Sequence, residues 1–134
     1  MREMGEERNW ALAAYALFLI APASSGVTAL IGVILAHVRL DTARGGLYES
    51  HYRNLILVFW VWFSVALVAA AFAITGLAGV AWILLRSAWP GPGFALYHST
   101  LMLGLVFLGV MLTCFWYYWR LIRGFIRLLD DKPY

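Results

Sequence analysis

Charge is scarce in this chain. Asp, Glu, Lys and Arg make up 13% of its 134 residues against 63% hydrophobic ones, too little polar surface to cover a folded body in water. An ordinary soluble domain is excluded. Cysteine is nearly absent too: Cys114 stands alone, so no intrachain disulfide can form and nothing marks a redox compartment. In its apolar run Cys114 reads as a packing residue. The chain has no phosphate loop, no paired-cysteine metal motif, no Gly-x-Ser-x-Gly elbow around Ser24 and Ser25, and no acidic catalytic pair. The interiors of its apolar runs hold no Asp, Glu, Lys or Arg, where ion-coupled carriers usually place such groups near the midplane. These absences argue against an enzyme and against a self-contained carrier. No cofactor and no metal are expected.

What the chain does have is long hydrophobic runs. A helix needs roughly 20 apolar residues to cross a bilayer, and the sequence offers such a stretch three times. The expectation is an all-α integral membrane protein, a single domain over residues 1–134, with hydrophobic segments at about 10–38, 54–75 and 94–119. The second run stays apolar to Leu85, longer than a ~30 Å hydrocarbon core requires. Thr75-Gly76 and Gly79 are the cheapest places for it to bend, so an interfacial helix carrying Trp82, Arg86 and Trp89 is expected over 77–89. Pro90-Gly91-Pro92-Gly93 should end it.

The first run is broken at Ala21-Pro22-Ala23-Ser24-Ser25-Gly26, and the break admits two readings. As one kinked helix the run reaches ~43 Å and spans with tilt; this reading is favoured. As a turn, it leaves two halves too short to span and makes a re-entrant hairpin with both ends on one side, its backbone at the turn needing partners such as the Ser24, Ser25 and Thr28 hydroxyls. Leu12 to Ile20 followed by Ala21-Pro22-Ala23 imitates a signal peptide, but Glu3, Glu6 and Glu7 oppose Arg2 and Arg8. That is no positive leader, and cleavage is not expected.

Basic residues set the orientation. Arg39, Arg44 and Arg53 lie in the first loop, and Arg120, Arg123, Arg127 and Lys132 follow the last span, so these regions should share the cytoplasmic face, with the C-terminus there. Over 120–130 the arginines recur at helical spacing opposite Leu121, Ile122, Phe125, Ile126, Leu128 and Leu129, the pattern of a C-terminal amphipathic surface helix. Arg120, Arg123 and Arg127 are its expected contacts to the membrane surface or to a partner. Trp116-Tyr117-Tyr118-Trp119 before it reads as an interfacial aromatic belt. The net charge of +3 and pI near 9.3 therefore point to anionic lipid headgroups rather than nucleic acid.

Small residues mark where helices can approach in lipid. Ser25, Ala29, Gly32 and Ala36 form one stripe, and Ala66, Ala70 and Ala73 another. Packing within the chain is the expected use of both, with an oligomer interface as the alternative.

The densest polar cluster is Glu49-Ser50-His51-Tyr52-Arg53-Asn54, with Arg39 and Asp41 upstream. Ionisable groups at a membrane boundary serve proton relays, headgroup sites or partner sites, or simply snorkel at a solvated helix start. Arg39, Asp41, Glu49, His51 and Arg53 are the candidate functional set, although a relay through His51 lacks a continuation into the apolar run. His37 near the same face could join His51 as a haem or metal ligand, but their spacing is not diagnostic. His98, beside Tyr97, Ser99 and Thr100, reads as an interfacial cap.

Several of these features occur together: Gly-Val-Thr-Ala-Leu-Ile-Gly at 26–32, Arg39-x-Asp41, Glu49-x-His51-x-Arg53, Trp119-Arg120-x-x-Arg123-Gly124 and a closing Lys132-Pro133-Tyr134. Together they resemble an uncharacterised bacterial membrane-protein family related to the magnetosome proteins MamF and MmsF, distantly similar to the chloroplast inner-envelope import subunit of the Tic complex. The resemblance implies a small three-span or four-helix protein acting as an accessory or scaffold component. An acidic loop for mineral binding and polar span residues for a wide pore are both missing here. The expected function is a non-enzymatic accessory subunit of a bacterial inner-membrane complex, contacting lipids and a membrane-protein partner or further copies of itself. The alternative is a small channel or lipid-handling protein, with a haem- or quinone-associated subunit a distant third.

Overall fold

In the computed structural model, which describes residues 2–85 and 92–134 apart from the side chains of 2–4, 83, 92, 94 and 95, the described residues form four α-helices. Among the described residues there is no strand. The helices are α1 (Arg2–Leu19), α2 (Val27–Leu40), α3 (Leu47–Leu85) and α4 (Pro92–Leu129). Arg86, Trp89 and the Pro90-Gly91 half of the expected turn lie outside the described residues, while Pro92 opens α4, where its missing N–H costs nothing.

The break in the first run is a turn, not a kink. A short 3-10 turn at Ala21–Ser24 is followed by two residues of positive φ, Ser25 at 53° and Gly26 at 88°. The left-handed pair turns the chain back, and Gly26 adopts that region without a Cβ penalty. The Gly26 amide donates to the Ala21 carbonyl at 2.8 Å, and the Ser24 hydroxyl accepts the Thr28 amide at 3.2 Å, so the freed backbone groups find local partners. α2 then runs back along α1. A Cβ at Gly32 would come within 2.9 Å of the Phe18 ring, and at the open end Arg39 Nη1 lies 3.2 Å from Glu7 Oε1. The kinked span over 10–38 is thereby replaced by an antiparallel hairpin. Its second arm, 14 residues, is ~21 Å long and short of a ~30 Å hydrocarbon core.

Two further boundaries differ from the sequence reading. α3 continues without a break through Thr75, Gly76 and Gly79 to Leu85. One glycine costs a helix only about 1 kcal/mol, and the Thr75 hydroxyl donates back to the Phe72 carbonyl at 2.9 Å inside the same helix. Likewise no boundary separates Trp119 from Arg120: the amphipathic residues 120–129 are the last turns of α4. They are not a separate surface helix. By length and composition α3 and α4 are each apolar enough to cross a membrane.

The chain divides into two compact units. The first comprises Met1–Val61 with Trp116–Tyr134. Its core is read off four helical stripes. Ala11, Ala14, Tyr15 and Phe18 come from α1, Ala29, Gly32, Val33 and Ala36 from α2, Tyr52, Leu55, Val58 and Phe59 from α3, and Tyr117, Leu121, Gly124 and Leu128 from α4. Each follows the three-and-four spacing of one helix face. The expected stripe Ala29-Gly32-Ala36 is thus used within the chain, whereas Ser25 belongs to the turn and is exposed.

The second unit, Trp62–Phe115, has two helical segments that meet where a Cβ at Gly76 would stand 3.1 Å from Leu103 Cγ. Its expected stripe is weaker: Ala66 and Ala73 are half-buried and Ala70 is exposed. Large apolar side chains point outward here, Leu85 being 84% and Phe115 72% exposed.

Candidate functional site

The first unit gathers its polar side chains into a chain of hydrogen bonds with one direction. Arg120, on α4, donates from Nε to Asn54 Oδ1 at 2.7 Å. Since guanidinium only donates, this fixes the amide's oxygen toward it and its nitrogen away. Asn54 Nδ2 in turn donates to the Tyr15 hydroxyl oxygen at 3.3 Å. That hydroxyl lies 3.2 Å from His51 Nδ1, and His51 Nε2 lies 2.9 Å from the Lys132 carbonyl. A carbonyl can only accept, so Nε2 carries the proton and Nδ1 accepts from Tyr15. The series Arg120, Asn54, Tyr15, His51, Lys132 carbonyl therefore joins α4, α3, α1 and the segment after α4 with every donor facing an acceptor.

Helix geometry explains why these residues meet. Tyr15 lies on the buried face of α1 between Ala14 and Phe18, and His51 and Asn54 occupy neighbouring turns on the inner face of α3. Tyr15, His51 and Asn54 are buried, Asn54 being 3% exposed; unpaired, each polar group there would cost about 1–3 kcal/mol. Gly124 on α4 makes the approach feasible, because a Cβ there would overlap the Tyr15 hydroxyl. The Tyr15 ring also meets His51 and Phe125 edge-on, with centroids 5.9 and 6.3 Å apart.

The segment after α4 is held by the same residues. The Tyr134 amide donates to Ser50 Oγ at 2.9 Å, Arg127 donates from Nη1 to the Pro133 carbonyl at 3.1 Å, and the Arg120 guanidinium stacks 5.1 Å over the Tyr134 ring. A second polar group sits at the open end of the hairpin, where the Glu7 carboxylate takes Arg39 and, at 3.3 Å, the Tyr52 hydroxyl. Arg39 also lies 4.4 Å over the Trp10 ring.

The candidate set Arg39, Asp41, Glu49, His51 and Arg53 does not form one cluster. Arg39 pairs with Glu7, Asp41 with Arg44 at 2.8 Å, and Glu49 with Arg53 at 2.7 Å, one turn apart on α3. Glu49 also accepts the Gly45 amide at 2.8 Å and so caps the start of α3. Only His51 enters the buried chain. His37 is exposed and bonded at 2.8 Å to the Val33 carbonyl of its own helix, and His98 lies in the second unit. Among the described residues no three His, Cys, Asp or Glu side chains stand close enough to hold a metal ion.

Sequence reasoning passed over Tyr15, Tyr52, Asn54, Glu7, Tyr117 and Tyr134 as site residues. The available signal was chemical. Tyr15 carries a polar group at a position whose helical neighbours, Ala11, Leu12, Phe18 and Leu19, are apolar, and a buried polar group needs a partner. No protein-family model, no curated protein and no solved structure matches this chain.

Proposed function

We propose that this protein is a non-enzymatic accessory or scaffold subunit of a bacterial inner-membrane complex. The observation that carries the reading is the closed hydrogen-bond series from Arg120 to the Lys132 carbonyl. A reacting site presents an unsatisfied donor, acceptor or nucleophile to a substrate. Along this series the buried polar groups face one another, and their arrangement fixes four segments in register. In a bilayer that is a sound use of polar side chains, because hydrocarbon drives helix association only weakly and interhelical hydrogen bonds supply specificity.

α3 and α4 are read as spans, and the α1–α2 hairpin, which meets α4 at Tyr117 and Gly124, as lying at their charged end. The charged end of the first unit, with Arg39, Arg44, Arg53 and the arginines of α4, is read as cytoplasmic by the positive-inside rule. Outward apolar residues such as Leu85, Phe107 and Phe115 then meet lipid or a membrane partner. The likeness to the MamF- and MmsF-related family implies the same kind of role.

The test is purification of the affinity-tagged chain in a lipid-preserving detergent, followed by mass spectrometry of what comes with it. A membrane protein recovered in fixed stoichiometry is the expected result. A chain recovered without any protein partner, and restoring transport to liposomes by itself, overturns the accessory reading in favour of a channel or lipid-handling protein.

A further inference from the structure

Among the described residues the basic side chains fall into two groups once their partners are named. Arg8 pairs with Asp131, Arg39 with Glu7, Arg44 with Asp41, Arg53 with Glu49 and Lys132 with Asp130. Arg120 is turned inward onto Asn54. Arg123 and Arg127 have no carboxylate partner among the described residues. Arg127 gives one N–H to the Pro133 carbonyl, leaving most of its five donors unused.

These two arginines line one wall of an open groove of about 330 Å³, completed by Trp119, Ile122 and Ile126. The apolar members are 61%, 51% and 53% exposed and recur on one face of α4. The opposite face of the same turns, Leu121, Gly124 and Leu128, is buried in the first unit. The groove thus joins an uncovered apolar strip to two cations lacking counterions. An inorganic phosphate would satisfy the cations and leave the strip in water. A detergent-like apolar molecule would do the reverse.

We infer that the Trp119–Arg127 groove is a binding site for one anionic phospholipid, its phosphate held by Arg123 and Arg127 and its glycerol and acyl chain running inward past Ile122 and Trp119. The inference rests on the membrane-embedded reading of α4 and is independent of any protein partner. Depth agrees with it. From Leu96 to Trp119 the helix runs ~35 Å, so a span over that stretch brings Arg123 to the headgroup layer just beyond a ~30 Å core. Arginine forks suit phosphate bidentately, and each basic residue near an anionic leaflet contributes favourably to binding.

The full chain is reconstituted in nanodiscs of phosphatidylcholine with graded phosphatidylglycerol, after alkaline extraction has established that it is membrane-embedded. Release at that stage removes the membrane reading itself, separately from the lipid site. Native mass spectrometry should then show one retained phosphatidylglycerol. The double variant Arg123→Gln/Arg127→Gln should retain it about tenfold or more weakly, while Arg44→Gln, whose side chain pairs with Asp41, should not change retention.

Equal retention of the two lipids, undiminished binding in the double variant, or displacement of the lipid by an acidic peptide overturns the assignment. Circular dichroism checks that the variants fold. Should the double variant not fold, brominated phosphatidylglycerol in the unaltered protein decides: it should quench fluorescence that the Trp119→Phe variant lacks, and brominated phosphatidylcholine should quench that component less. Equal quenching by both overturns the site.

Discussion

The Tyr117 hydroxyl donates to the Phe18 carbonyl at 2.7 Å, and Phe18 is four residues before Pro22. In an unbroken helix that carbonyl would take the amide of residue 22, but proline has none. The break in the first hydrophobic run is therefore tolerated in part because a residue 99 positions away supplies the missing donor. Tyr117→Phe removes it while leaving the ring. We expect a loss of about 1–3 kcal/mol, the cost of a buried unsatisfied carbonyl, read as a lower midpoint in thermal or denaturant unfolding in detergent. An unchanged midpoint would show that water reaches Phe18 and that the bond is incidental.

Gly124 leaves the space that the Tyr15 hydroxyl occupies. Gly124→Ala places a methyl group where the Tyr15 hydroxyl stands and forces that side chain away from both His51 and Asn54. Overpacking of this kind costs about 1–3 kcal/mol, with loss of the two hydrogen bonds in addition. Because one clash causes the damage, the Tyr15→Phe/Gly124→Ala double variant should be less destabilised than the sum of the singles. Strict additivity in the unfolding midpoints would contradict the contact.

The donor order through the buried chain predicts the protonation pattern of one ring. His51 should be the neutral tautomer with the proton on Nε2, held by the Lys132 carbonyl, and with Nδ1 accepting from Tyr15. Nitrogen-15 chemical shifts of labelled histidine near neutral pH distinguish the two ring nitrogens. Tyr15→Phe should shift the Nδ1 resonance and leave Nε2 nearly unmoved. A proton found on Nδ1 alone would leave Nε2 with no hydrogen to give the Lys132 carbonyl and would rule out the bond between them.

These features differ in how legible they were. The site of the break was plain from Pro22 and Gly26, because backbone chemistry is local. Whether it was a kink or a reversal was not, because Gly32 against Phe18 and Arg39 against Glu7 decide it, and those contacts cross the turn. The stripe Ala29-Gly32-Ala36 was readable as small residues at helical spacing. Ala66-Ala70-Ala73 has the same spacing yet stays partly exposed, since Gly76 gives the closer approach.

Charges in sequence proximity misled in the same way. Glu49, His51 and Arg53 read as one candidate set, but one turn of helix pairs Glu49 with Arg53 while His51 turns inward. Tyr15 was unremarkable because its partners lie 36 and 39 residues on. The final turns of α4 looked like a separate surface helix because their hydrophobic face resembles a lipid-facing one. In the fold Leu121 and Leu128 are buried, and only the strip beside Arg123 and Arg127 remains open.

The hairpin carries a topological consequence that a kinked span would not. Glu7 touches Arg39, Arg8 lies 3.8 Å from Asp131, and the Tyr134 amide reaches Ser50, so the start of α1, the loop after α2 and the segment after α4 belong to one end of the first unit. In a Cys114→Ser background, single cysteines at Glu6, Thr42 and Asp130, all exposed positions, should react with a membrane-impermeant maleimide from the same side of sealed vesicles. By the positive-inside rule that side is cytoplasmic, so inverted vesicles should label and intact cells should not. A kinked span would place Glu6 opposite Thr42. Labelling of Glu6→Cys alone in intact cells would therefore restore the spanning reading of residues 10–38 and remove the hairpin from the membrane-inserted protein.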